Sequence, residues 1–147
     1  MSETFNSSDG RPVVAVDTAE TLGQIKGFII DPTATRIESV HISRRGKKAE
    51  VIPWASIHSF GSDTVMVELA TAVEQVSSDH DIQTVKGNIV ARKTRVLTTD
   101  GFERGTVEDV MFGTDTGELT GALTTEGHLD GSRFRSLGSY ALIVDAE

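Results

Sequence analysis

Four histidines, an Asp-Thr-Gly triplet and one basic cluster are the features of this chain whose residue types could carry chemistry. His41, His58, His80 and His128 never pair at i,i+4 spacing, so no helical turn presents two of them to a metal. His80 lies between Asp79 and Asp81, and His128 lies two residues from Asp130. A first-row metal site wants three or four convergent ligands, so these read as polar loops, and no metal or other cofactor is expected. Asp115-Thr116-Gly117 is the triplet of aspartic proteases. That chemistry needs a second Asp to share a proton, and the first half of the chain supplies no matching triplet. A hairpin turn with glycine at positive φ accounts for it fully. No glycine-rich phosphate loop precedes a helix, and no Gly-x-Ser-x-Gly elbow is present. No nucleophile, base and orienting group can be assembled, so the chain reads as a binding module and not an enzyme.

Arg44-Arg45-Gly46-Lys47-Lys48 places four positive charges in five residues, in a chain of formal net charge −8. Residues 74–147 carry most of the negative excess. Such a balance repels a phosphate backbone, which excludes DNA as a general partner. On a hairpin tip, Arg44, Arg45, Lys47 and Lys48 are the candidate partner-binding residues, and an acidic protein is the expected partner. RNA or an anionic membrane surface are the other ligands that such a cluster could meet, and a solvated loop is its bland explanation. Trp54 could anchor a partner, but its apolar neighbours point to core packing. There is no cysteine, which excludes disulfides and thiolate chemistry. No apolar run approaches the ~20 residues that span a bilayer. The first ten residues lack the pattern of a signal peptide. A cytoplasmic protein is expected, with residues 1–11 as a disordered tail.

The elements that would position these residues are strands, and they occur twice. A shift of 82 residues lays Gly23 on Gly105, Ile25 on Val107, Phe28 on Val110, Ile30 on Phe112 and Ile37 on Leu119. Further on, a shift of 77 lays Gly61 on Gly138, Val65 on Leu142 and Val67 on Val144. The difference falls in the loop after Ile42, where a deletion disturbs least. Ile25 and Phe28 are three apart, as are Val107 and Val110, whereas a flat strand needs even spacing. A β-bulge near Lys26-Gly27 and another near Glu108-Asp109 would restore the phase and bend each strand. Pro53 to Ile57 reads as one helical turn. Leu69, Ala72, Val73 and Val76 have helical spacing and suggest a short linker helix, followed by a polar break at Ser77 to Asp81. The expected organisation is all-β: a first unit over 12–68, a linker over 69–89 and a second unit over 90–147. Each unit is near the lower size limit for a stable core, so the two should pack together or in a homodimer.

With the repeats drawn, the residues resemble the PRC-barrel family. That family includes the cytoplasmic domain of the photosynthetic reaction-centre H subunit and the C-terminal domain of a ribosome maturation factor. In the second unit the match is Val96 to Phe112, with its Asp100-Gly101 turn and Gly105-Thr106-Val107, followed by the Asp115 to Leu119 hairpin. In the first unit it is Val51-Ile52-Pro53-Trp54 and Ile57 to Val65. The turns at Thr18 to Thr21 and Thr33 to Thr35 lack the glycines of their counterparts. The resemblance implies two small PRC-barrel-like units acting as a docking or assembly surface without catalytic residues. Its members also suggest two other roles: a ribosome- or RNA-linked assembly factor, or a peripheral component of a membrane-associated complex.

Overall fold

A computed structural model describes residues 2–44 and 49–146. Strand β1 (Ser2–Thr4) and a helical turn α1 (Phe5–Ser8) come first. The first unit follows as β2 (Pro12–Ala15), β3 (Thr21–Ile30), β4 (Ile37–Ser43), β5 (Glu50–Pro53), a 3-10 turn (Trp54–Ser56), β6 (Ile57–Phe60) and β7 (Val65–Val67). A connector holds a 3-10 turn (Ala70–Ala72), β8 (Glu74–Gln75) and α2 (Asp79–Val85). The second unit is β9 (Arg95–Thr98), β10 (Glu103–Gly113), β11 (Leu119–Thr124), β12 (Gly127–Asp130), a 3-10 turn (Gly131–Arg133), β13 (Phe134–Leu137) and β14 (Leu142–Val144).

The duplication is visible strand for strand. One sheet runs β6-β7-β2-β3-β4-β5-β8 and the other runs β13-β14-β9-β10-β11-β12. Each contains a parallel pair at the same place, β2 with β7 and β9 with β14. The expected bulges are present: register slips between Ile25 and Gly27 on β3, and between Val107 and Asp109 on β10. The slips turn Ile25, Phe28, Val107 and Val110 all into the core. Where the first unit lacks a turn glycine, alanine takes its conformation. Ala19 has φ +57° where Gly101, its counterpart, has +91°. Pro53 starts the 3-10 turn at Trp54, as the sequence suggests.

Two expectations about the segments outside the barrels are corrected. Residues 2–11 are not a disordered tail. Glu3 pairs with Phe112 in an antiparallel ladder, and Phe5 is buried. Thr4 and Ser7 form a capping box on α1. The linker helix lies at Asp79–Val85, not at Leu69 to Val76. The polar run read as a break is instead a helix start: Ser78 accepts from the Asp81 N–H, and Asp79 and Asp81 sit in the first turn, where negative charge suits the dipole.

The two units share one core, in keeping with the expectation that they pack together. Each sends its second strand into the other. Phe112, at the end of β10, lies 5.3 Å from Phe28, 5.3 Å from Phe60 and 6.1 Å from Trp54, ring centre to ring centre. Its counterpart Ile30 lines a small apolar space with Val110, Leu119, Leu137 and Leu142 of the second unit. The arms cross over as well. β1, which precedes the first unit, pairs with β10 of the second. α2, which precedes the second unit, packs on β3 of the first, with His80 Nε2 2.7 Å from the Ile30 carbonyl. Each arm thus reaches the strand of the other unit, β1 by a backbone ladder at Phe112 and α2 by the His80 ring at Ile30, and the molecule is an internal pseudo-dimer.

Candidate interaction surfaces

The basic tip is partly described. Arg44 makes a bidentate pair with Glu50, Nε to Oε1 at 3.1 Å and Nη2 to Oε2 at 2.9 Å. The Glu50 side chain is 7% exposed, so Arg44 neutralises a carboxylate in a nearly dry site. Arg45, Lys47 and Lys48 lie outside the described residues.

A second concentration of positive charge lies in a cleft of about 540 Å³ along the seam between the units. Lys26, Arg92 and Lys93 line it against one carboxylate, Glu108. Lys26 and Glu108 occupy the two bulges, which the pseudo-dimer brings to a common opening. Asn6 fixes one wall: its backbone N–H donates to Asp109 Oδ1 at 3.0 Å, and Arg92 donates to its side-chain oxygen. His41, buried and paired in register with Gly27, forms the floor beside Phe28. Burial, helped by the Lys26 charge, holds its pKa below the ordinary imidazole value. The cleft therefore offers three cations, of which Arg92 is held by Asn6, over a neutral, partly aromatic floor. Sequence reading missed it because Lys26 and Arg92-Lys93 are far apart in the chain. The signal was the pair of bulges, which meet only once the units are interlocked.

The other candidates fall into structural roles. Asp115 is exposed in the turn closed by Gly113 and Glu118, and Gly117 carries φ +76° there. Trp54 is buried, stacked on Phe60 at 5.6 Å and pressed against Gly117. His58 faces Glu68 at 3.1 Å on the surface, and the Asp130 carboxylate accepts from the Ser132 N–H. Among the described residues no three His, Asp or Glu side chains converge as metal ligands. Among the described residues no helix is long and apolar enough to cross a membrane.

The two stretches that form the interlocked sheets are each matched by the PRC-barrel domain family, over residues 3–73 and 92–146. The chain belongs to the PRC-barrel family. The two matches make it a tandem PRC-barrel protein, and the first match begins within β1, ahead of β2. No curated protein matches the chain.

Proposed function

We propose that this tandem PRC-barrel protein is a non-catalytic docking module that takes an acidic protein partner at the seam cleft. The observation that carries this reading is the convergence of Lys26, Arg92 and Lys93 on one opening of a chain with net charge −8. An acidic partner is repelled by most of such a surface and drawn to the positive place, which orients the encounter. β4, which supplies His41 to the cleft, also leads into Arg44. Arg45, Lys47 and Lys48 are assigned to the same partner.

The test is an affinity capture from the native cells with the intact chain and with Lys26→Gln, Arg92→Gln and Lys93→Gln combined. A protein with an acidic surface that is retained by the first and lost by the second supports the reading. Its affinity should fall with added salt. Recovery of RNA, or of the same proteins in equal yield with the variant, overturns it.

A further inference from the structure

The two units differ at one edge. In the first, β8 adds to the outer edge of β5, with Gln75 opposite Glu50 and Glu74 opposite Val51. The chain leading to it, through Ala70, Ala72 and Val73, packs on the hydrophobic core and closes that end of the sheet. In the second unit the counterpart of β5 is β12, and among the described residues no strand pairs with its outer edge. Beside β12 lies an open mouth of about 350 Å³.

At four places the lining of that mouth is polar where the first unit is apolar, while the buried Glu50 has Gly127 as its counterpart. By strand register, with Ala15 opposite Val67 and Thr98 opposite Val144, the buried Leu22, Ala15, Ile42 and Val51 have as counterparts Arg104, Thr98, Thr124 and His128. Four apolar positions have become polar ones. Thr98 and Thr124 spend their hydroxyls on their own turns: Thr124 donates to the Gly127 carbonyl at 2.8 Å, and Thr98 bonds Asp100. Arg104 lies over the Phe102 ring at 5.6 Å and has no carboxylate partner among the described residues. An exposed strand edge beside this cavity offers main-chain pairing along one side and the Arg104 and His128 side chains along the other.

We infer that β12 and this mouth form a second docking site, which takes an extended peptide segment of another polypeptide as an added antiparallel strand. The first unit shows how such an edge is closed, because the chain's own residues 70–75 cover the corresponding place, with the 3-10 turn Ala70–Ala72 and Val73 on the core and Glu74–Gln75 as the added strand. The polar lining changes the side chains required. Where the first unit accepts Ala70 and Ala72, the second accepts small hydrogen-bonding residues such as serine or threonine. The site is separate from the seam cleft, and it stands whether or not the cleft binds an acidic protein.

The probe is a synthetic peptide of residues 69–76 carrying Ala70→Ser and Ala72→Ser, added to the full chain. Hydrogen exchange is followed by mass spectrometry. At ten times Kd, amides in residues 127–130 should exchange about tenfold more slowly, since they open to solvent from the free fraction. The unaltered peptide should protect them several-fold less. Arg104→Leu with Thr124→Ile restores the apolar filling of the first unit and should abolish the protection. The Lys26, Arg92 and Lys93 substitutions should leave it unchanged. Three results overturn the proposal: no protection at 127–130 with millimolar peptide, protection at 50–53 instead, or a chain that self-associates with 127–130 already protected. The wild-type measurement decides the matter even if the filled variant fails to fold.

Discussion

Arg36 and Glu118 face each other in an isolated antiparallel bridge, and each is the counterpart of the other in the duplication. Around them the Ile37 N–H donates to the Gly117 carbonyl at 2.8 Å, and the Leu119 N–H donates to the Thr35 carbonyl at 2.9 Å. These two bonds are also equivalents of one another. A residue can meet its own counterpart only on a local two-fold axis, so this bridge marks the axis of the pseudo-dimer. The sequence turned basic on one side and acidic on the other, which no true homodimer could do with a single chain type.

Neither half should fold alone. Residues 1–78 lose Phe112 from their aromatic cluster, and residues 79–147 lose Ile30 and the β1 ladder. Expressed separately, each should give a non-cooperative melt, and mixing them should restore a cooperative one. Two independently folded monomers would contradict the interlocked core.

Phe112→Ala tests the same point within the intact chain. The side chain is fully buried and touches aromatic rings from the other unit. Truncation should cost about 3–5 kcal/mol, with both units melting in one transition at lower denaturant. Two separate transitions would show that the core is not shared.

The Asp-Thr-Gly turn gives a contrast between neighbours. Asp115→Asn should change stability by no more than about 0.5 kcal/mol, as expected of an exposed turn residue. Gly117→Ala should cost about 1–3 kcal/mol. Its new Cβ would need a positive φ and would stand 2.9 Å from Trp54 Cδ2. Equal effects in a urea titration would count against this assignment.

Much of this was legible because it is periodic. The slip from even to odd spacing at Ile25/Phe28 and Val107/Val110 located both bulges, and the change of shift from 82 to 77 located the shortened β11–β12 hairpin. The tail was not legible, because Phe5 finds its partners Phe28 and Phe112 through tertiary packing that no local pattern encodes. The helical spacing of Leu69 to Val76 misled for a related reason. Ala70, Ala72 and Val73 are apolar because they close the first sheet, not because they line a helix.

Acid should weaken the fold in two stages. His41 is held neutral by burial and by Lys26, so its folded pKa lies below the unfolded value of about 6.5. Its contribution is complete above that value and is lost as pH falls from there toward the folded pKa. Glu3 and Asp31 follow at lower pH. Burial pushes both carboxyls up, but Arg11 and Ser7 at Glu3, and Thr33 with the Thr35 and Arg36 N–H groups at Asp31, more than offset it. Their stabilisation is present above the unfolded carboxylate pKa values and disappears as pH falls through the lowered folded ones. Melting temperature against pH should show the first decline removed by His41→Gln and the second reduced by Glu3→Gln. A profile unchanged by His41→Gln would refute the first assignment.

The basic tip should divide into one structural cation and three others. Removing Arg44 leaves Glu50 buried without its bidentate partner. Loss of a charged hydrogen-bond partner from a buried carboxylate costs roughly 1–3 kcal/mol, tempered here because Arg44 itself is partly exposed. Arg44→Gln should therefore lower the melting temperature, and Arg44→Gln with Glu50→Gln should recover most of the loss, since no charge is then stranded. Arg45, Lys47 and Lys48 changed together to Gln should leave the melt within experimental error, and weaken binding to an acidic partner chiefly at low ionic strength. Four substitutions with equal, negligible effects on stability would mean that the Arg44–Glu50 pair contributes nothing. A large loss of stability from the three others would mean that they pack against the protein, and would remove them from the partner surface.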